Sequence, residues 1–210
     1  MVFGIDLMDN FNKPYTAKSV PEFWHRWHIS LSTWFRDYVF IPIGGNKRGP
    51  WILAFAVMVV FATSGLWHGA NTTMIIFGVC QGSLYLFDRF IFSKIKLSGV
   101  VWDFFRNFKT VMFFALSLVY FRSANISQTD DIFKLLFSNT EGQEPLKYPL
   151  YIPIFMLLFL LFDNYIINQR IDGWLDRFKL PIRWTFYAAA IACIWLLGGA
   201  TNHPFVYFQF

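Results

Sequence analysis

The stretch from Gly49 to Phe87, GPWILAFAVMVVFATSGLWHGANTTMIIFGVCQGSLYLF, contains no Asp, Glu, Lys or Arg. A single helix through it would be nearly twice as long as the roughly 30 Å apolar thickness of a bilayer. The stretch must therefore fold back on itself. The break falls at Gly65-Leu66-Trp67-His68-Gly69-Ala70-Asn71, where small and polar residues interrupt the run. This predicts one span over 51–67 and a second over 72–92, with His68 at the bend.

The same environment extends along the chain. Hydrophobic residues make up 56%, aromatics 21% and charged residues only 15%, against about 25% charged in a soluble domain. Charge-free stretches this long are rare on water-facing helices, which argues against a soluble helical protein. Further spans are expected at 108–121, 150–167 and 183–200. The predicted fold class is an all-α, polytopic helical membrane protein. It has about five transmembrane helices and an N-terminal interfacial or re-entrant helix. Residues 1–210 read as one membrane domain, with a cytoplasmic or interfacial segment at 1–50 and a transmembrane bundle at 51–210. Asp6 and Asp9 break any apolar core at the start, so it does not read as a signal peptide. The net charge of +5 is dispersed, with no Lys/Arg stripe, so nucleic acid is not an expected partner. Cys80 and Cys193 lie in apolar runs and read as small buried hydrophobes.

N-terminal to the apolar run, Ser19-Val20-Pro21-Glu22 is a capping box with Pro in the first turn. It predicts a helix running to about Tyr38. Helical periodicity puts Trp24, Trp27, Leu31, Trp34, Phe35 and Tyr38 on one face, with His28 at its edge. Ile41 to Pro50 carries two Pro, three Gly and an Asn, and reads as a loop. Lys and Arg concentrate before span 1, between spans 2 and 3, and between spans 4 and 5. They are absent from the bend at 68–71 and after span 5. The positive-inside rule then places residues 1–50 on the cytoplasmic side and the His68 bend and the C-terminus outside.

Few residues carry chemistry. His68 is an ionisable group in a charge-free run, which suits either proton transfer or a helix-end cap. His28 reads either as a site residue or as an interfacial histidine, and His25 as exposed. Arg36 either contacts an anionic donor group or sits in a solvated face. Asn46 either binds a ligand or shapes a turn. Trp67 can wall a site, and Gly69 can admit a close approach. His203 reads as structural, and Asp163 with Asn164 lies in span 4. Metal binding is not expected, because neither Cys nor H-E-x-x-H accompanies His25 and His28. No nucleophile elbow or phosphate-binding loop is present.

Two of these stretches carry a resemblance. Phe23-Trp24-His25-Arg26-Trp27-His28-Ile29-Ser30-Leu31-Ser32-Thr33-Trp34-Phe35-Arg36-Asp37-Tyr38 resembles the cytoplasmic motif of the membrane-bound O-acyltransferase (MBOAT) superfamily. Ser64-Gly65-Leu66-Trp67-His68-Gly69-Ala70-Asn71 resembles its catalytic-histidine motif. Between them, Ile41-Pro42-Ile43-Gly44-Gly45-Asn46 is similar to the bacterial branch that acetylates alginate and related polysaccharides. The D-alanyl teichoic-acid branch is similar over the first motif. The motif-bearing resemblance covers about residues 8–92, and 205–210 looks like the family's C-terminus.

The resemblance implies that His68 is catalytic and that His28, with Trp24 and Arg36, lines the donor side of a tunnel. Trp67, Gly69, Asn71 and Asn46 would support the site. It implies no bound cofactor, and an acyl thioester donor, acyl carrier protein or acetyl-CoA, as co-substrate. The acceptor would be an exported polysaccharide, reached directly or through an extracytoplasmic acetyl-transfer partner protein. The setting would be a bacterial inner membrane, with lipid around the chain. Family members are longer and have more spans before Asn10, which an upstream segment or a separate chain would supply here. Two other readings compete: a truncated, non-catalytic membrane subunit, and a transporter relaying protons through its histidines. The transporter would need more ionisable residues in its spans than Asp88 and Asp163.

Overall fold

The computed structural model describes residues 8–95, 97–138 and 171–197, together with 154 and 158. Two compact units make up the chain, Met1–Leu146 and Lys147–Phe210. Among the described residues all regular structure is helical. Three of the described helices are long and apolar enough to cross a membrane: Pro50–His68, Thr72–Lys94 and Val100–Arg122.

The first unit begins with α1 (Val20–Arg26) and α2 (Ile29–Phe35). A π-helical turn, Arg36–Phe40, and a short helix, α3 (Ile41–Ile43), follow. The turn out of α3 takes positive φ at Gly44 and Gly45. The segment expected to be loop from Ile41 is thus helical for its first residues. The charge-free run forms α4 (Pro50–His68) and α5 (Thr72–Phe90), broken where the sequence predicts. The two lie unusually close. A Cβ on Gly65 would sit 2.2 Å from the Met74 carbonyl oxygen, and one on Gly78 would sit 2.1 Å from that of Phe61. Only glycine allows this approach, as in small-residue crossings of membrane helices.

The third span is longer than expected. Helix α6 (Val100–Arg122) starts well before residue 108 because its polar residues have partners elsewhere. Lys18 pairs with Asp103 at 2.8 Å. Asn107 Nδ2 donates to the carbonyls of Tyr15 and Ala17 at 2.7 and 2.9 Å. Lys109 is buried against Asp88. The segment after α6, between the spans expected at 108–121 and 150–167, contains α7 (Ile126–Phe137). Asn125 caps it, accepting from Gln128 N at 2.9 Å. In the second unit α8 (Ile171–Leu175) and α9 (Leu180–Leu197) are described. The apolar part of α9 is shorter than the three spans above. Cys193, expected to be buried, is exposed there, as are the residues all around it on α9. Expected span 150–167 with Asp163 and Asn164, His203 and the 205–210 ending lie outside the described residues, apart from 154 and 158.

The single helix expected from Ser19 to Tyr38 is instead two, and the break is informative. Ser19 caps α1, accepting from Glu22 N at 3.2 Å, while Glu22 accepts from Lys18 N at 2.8 Å. The helix stops at Trp27, and His28 adopts a left-handed conformation with φ 47°. Residues at the break then need other partners for their backbone groups. The Arg26 carbonyl accepts from Asn12 N at 2.8 Å. Ile29 N donates to Asn10 O at 2.9 Å, and Ser30 N donates to Asn10 Oδ1 at 3.0 Å. The N-terminal strand of chain thus takes over the hydrogen bonds that the helix gives up.

The result is a hairpin that enters the bundle and returns. At its entrance Val20 N donates to Asp88 Oδ2 at 2.6 Å, near the end of α5. Midway, Trp24 packs on Phe61 at 5.1 Å. At its tip, His28 meets Trp67 at 6.1 Å. On the way out, the π turn packs along α4, and Asn46 is reached by Arg89 Nη2 at 3.3 Å. Of the two alternatives for this segment, the geometry is the re-entrant one. The predicted common aromatic face divides accordingly. Trp24 and Trp27 pack with Phe23 and Phe114, while Trp34 and Tyr38 stay exposed.

Two outcomes follow. Lys109→Met should lower stability by about 3–5 kcal/mol, because the buried Asp88 carboxylate loses its counter-charge. Thermal unfolding in detergent reads this, and an unchanged midpoint would show that Asp88 does not depend on Lys109. In the same assay His28→Val should be about 1–2 kcal/mol less stable than His28→Gly, since only glycine enters the left-handed region freely. Equal midpoints would remove the left-handed break as a constraint.

Candidate functional site

Two groups of residues converge on the hairpin. The first is a file of rings at its tip. Phe11 lies 6.2 Å from His28, His28 6.1 Å from Trp67, Trp67 4.9 Å from His68, and His68 5.1 Å from Phe121. Phe77 continues the file at 5.2 Å from Phe121. Charge patterning placed His28 inside and His68 at the far bend. The hairpin carries His28 up to the bend, so both histidines flank the Trp67 ring. Trp67 is 54% exposed. His28 Nδ1 is buried without a hydrogen-bond partner among the described residues.

The helix that presents His68 ends there for local reasons. Gly69 caps it, donating from its N–H to the Leu66 carbonyl at 3.1 Å. Its φ of 163° is extended backbone, and a Cβ would make only ordinary contact, 3.6 Å from Met74 Cγ. No other backbone comes close to Gly69 among the described residues; the close backbone approaches are at Gly65 and Gly78, where two helices cross. Asn71 is a helix cap whose Oδ1 accepts from Thr73 N at 3.5 Å. Its Nδ2 donates to Ala124 O at 2.7 Å, and Thr73 Oγ1 donates to Ser123 O at 3.1 Å. Asn71 therefore ties the His68 bend to the turn between α6 and α7.

The second group lines a cavity of about 350 Å³ between the hairpin, α4 and α5. Trp24, Arg36 and Asn46 line it, and so do His25, Ile29, Phe61, Ser64 and Arg89. Ile29 follows His28 in the chain and Ser64 is one helical turn from His68, so one end lies beneath the ring file. The other end holds Asn46 with Arg89, and Arg36. The exposed Arg36 guanidinium bonds Asp37 at 2.8 Å. That hydrogen bond holds the Asp37 carboxyl below the usual carboxylate range and raises Arg36. The cavity is mostly apolar with cationic groups at one end, which suits an apolar chain ending in an anionic or polar group. His28, His68, Trp67, Gly69 and Asn71 do not line it.

Sequence reading missed Arg89, Ser64 and Gln81. Gln81 carried a legible signal, an amide inside a charge-free span. It is 2% exposed and accepts from Trp24 Nε1 at 3.2 Å.

Comparison with known proteins addresses the same region. Residues 1–128 match the model of the MBOAT, membrane-bound O-acyltransferase family. The whole chain is 30% identical to a probable alginate O-acetylase AlgI of Pseudomonas putida, covering 48% of that protein. A probable alginate O-acetylase AlgI of Azotobacter vinelandii is 45% identical over 42% of the chain and 18% of its own length. A peptidoglycan O-acetyltransferase of Helicobacter pylori is 34% identical over 64% of the chain and 26% of its own length. The chain spans about half the length, or less, of the curated relatives it matches. The matched segment contains the hairpin, the cavity and the ring file, set among apolar helices that can cross a bilayer. The chain belongs to the membrane-bound O-acyltransferase family and is a multi-pass membrane protein.

Proposed function

We propose that this chain carries the transfer centre of an O-acyltransferase. It moves an acyl group, acetyl in the favoured case, from a cytoplasmic thioester to a hydroxyl of an exported polysaccharide. The observation that carries the reading is the hairpin. It brings His28 beside Trp67 and His68, directly above a cavity whose other end is cationic. A thioester arm entering from the Arg36, Asn46 and Arg89 end would lie along Trp24 and Phe61. Its acyl carbonyl would reach the histidine end.

There His68 takes the proton of the acceptor hydroxyl as that oxygen attacks the acyl carbon. The new C–O bond forms, the C–S bond breaks, and the proton passes to the departing thiolate. His28 serves the donor side, with a buried ring nitrogen free among the described residues to meet the carbonyl. In this reading the donor is an acyl carrier protein or acetyl-CoA. The acceptor is the polysaccharide itself or an extracytoplasmic partner that passes the acetyl group on. Residues 1–50 face the cytoplasm of a bacterial inner membrane and the C-terminus faces outside, as the charge distribution favours. The favoured acceptor class follows the names of the two AlgI relatives and the Gly44-Gly45-Asn46 turn.

The test is acyl transfer in membranes containing the chain, alone and with any segment encoded upstream. His68→Ala at matched protein level should lose about 10²- to 10⁴-fold in rate. Normal transfer by a folded His68→Ala protein would overturn the assignment of the base. Absence of transfer in every pairing, despite stable insertion, would favour a non-catalytic subunit.

A further inference from the structure

Trp24 faces two ways. One side of its indole walls the cavity, and its N–H reaches into a buried polar relay across three helices. Trp24 Nε1 donates to Gln81 Oε1 at 3.2 Å, and Gln81 Nε2 donates to Ser117 Oγ at 2.5 Å. The Ser117 hydroxyl donates to the Phe114 carbonyl at 2.6 Å. Gln81 is 2% exposed and Ser117 is 5% exposed.

The direction of this relay is forced. An indole nitrogen can only donate, and the Ser117 proton is committed to a carbonyl that can only accept. The Gln81 amide therefore has one orientation, oxygen toward Trp24 and nitrogen toward Ser117. Burying an amide among apolar helices is costly, and α5 and α6 are already joined without it. Lys109 pairs with Asp88 at one end, and Thr73 bonds Ser123 at the other. What the relay adds is control of Trp24. Edge contacts to Phe61 at 5.1 Å and Phe23 at 5.7 Å hold the ring but do not select which edge faces inward. The hydrogen bond to Gln81 does.

From this geometry we infer that Gln81, backed by Ser117, is a positioning residue. It fixes Trp24 and thereby the cross-section of the cavity that admits the acyl thioester arm. Gln81 does not line the cavity and acts only through Trp24. The inference rests on the acyl-transfer reading above, and it assigns donor fit and acyl-size selection to a residue outside the two recognised motifs.

The experiment compares initial rates with acetyl, propionyl and butyryl thioesters for the wild type and for Gln81→Leu, Gln81→Glu, Trp24→Phe and Trp24→Phe/Gln81→Leu. The protein is used in membranes with whatever upstream segment activity requires. Gln81→Leu should raise KM for the acetyl donor about tenfold, the order expected for one lost hydrogen bond, with kcat changed less than about twofold. Discrimination between acetyl and butyryl should narrow with it. Gln81→Glu should recover both, since a buried neutral carboxyl offers the same acceptor and donor. The double variant should match Trp24→Phe alone. Wild-type KM and selectivity in folded Gln81→Leu, additive effects in the double variant, or loss of active protein with KM unchanged would each overturn the inference. Ser117→Ala, which leaves Gln81 in place without its acceptor, serves if Gln81→Leu does not fold. If the wild type transfers nothing, the acyl-transfer reading fails. Binding of the unreactive thioether acetonyl-pantetheine then decides for Gln81: a Kd about tenfold weaker in Gln81→Leu supports the positioning role, and an equal Kd overturns it.

Discussion

A carboxylate buried among apolar helices survives only if its charge and its lone pairs are met, and Asp88 meets both needs. One oxygen pairs with Lys109, which also lies 4.1 Å over the Phe92 ring. The other accepts the N–H of Val20, the first residue of α1. The N-terminal amides of a helix have no partner inside it. Asp88 therefore supplies the acceptor that lets a polar segment begin inside the bundle. The rest of the site depends on this entry point. With Val20 fixed at the end of α5, the helical rise places Trp24 at the level of Phe61 and Gln81. The extended Trp27 and left-handed His28 then deliver the tip to Trp67.

The close crossing of α4 and α5 has a complementary role. Because Gly65 and Gly78 let the two backbones touch, the bend at 66–71 is held over a narrow pair of helices. Room for the hairpin is left on one side of that pair. The bend is also braced from the α6 side, where Asn71 and Thr73 bond the carbonyls of Ala124 and Ser123. His68 is thus placed by three helices, although it belongs to one. Its surroundings come from elements far apart in sequence: Trp67 beside it, Phe121 from α6 and His28 from the hairpin.

The parts legible in the sequence were those set by local chemistry. The charge-free run and its interruption gave α4, α5 and the position of His68 at the end of a helix. Ser19 and Glu22 announced the start of α1. The break at His28 was not legible, because helical spacing continues through it and the aromatic residues fit a helix on both sides. What stops the helix is tertiary: Asn10 and Asn12 take the backbone groups, and Trp67 receives the ring. The early start of α6 was hidden for a related reason. Asp103, Asn107 and Lys109 look like a boundary until their partners Lys18, Tyr15, Ala17 and Asp88 are known. Helix α7 could have been found from Asn125 as a cap and the spacing of Ile132, Phe133 and Leu136. Of the candidate residues, Trp24, Arg36 and Asn46 share the cavity, and His28, Trp67 and His68 share the ring file. Periodicity on one helix could not separate these two groups.

The separation has a chemical consequence under the proposed function. Two substrates must meet while water is kept from the thioester, and a single open pocket would serve that poorly. Here the cavity and the ring file are distinct, and both are bordered by the hairpin tip and by α4, which gives Phe61 and Ser64 to the cavity and Trp67 and His68 to the file. Ile29 lines the cavity while its neighbour His28 lies in the file. A strained residue at that junction fits this task, because the left-handed turn lets two adjacent side chains point to different compartments. A continuous helix would space them by 100° around one axis and leave both on the hairpin's own flank. The break at His28 is therefore the step that turns a re-entrant helix into a partition, with the donor arm on one side and the bend carrying His68 on the other.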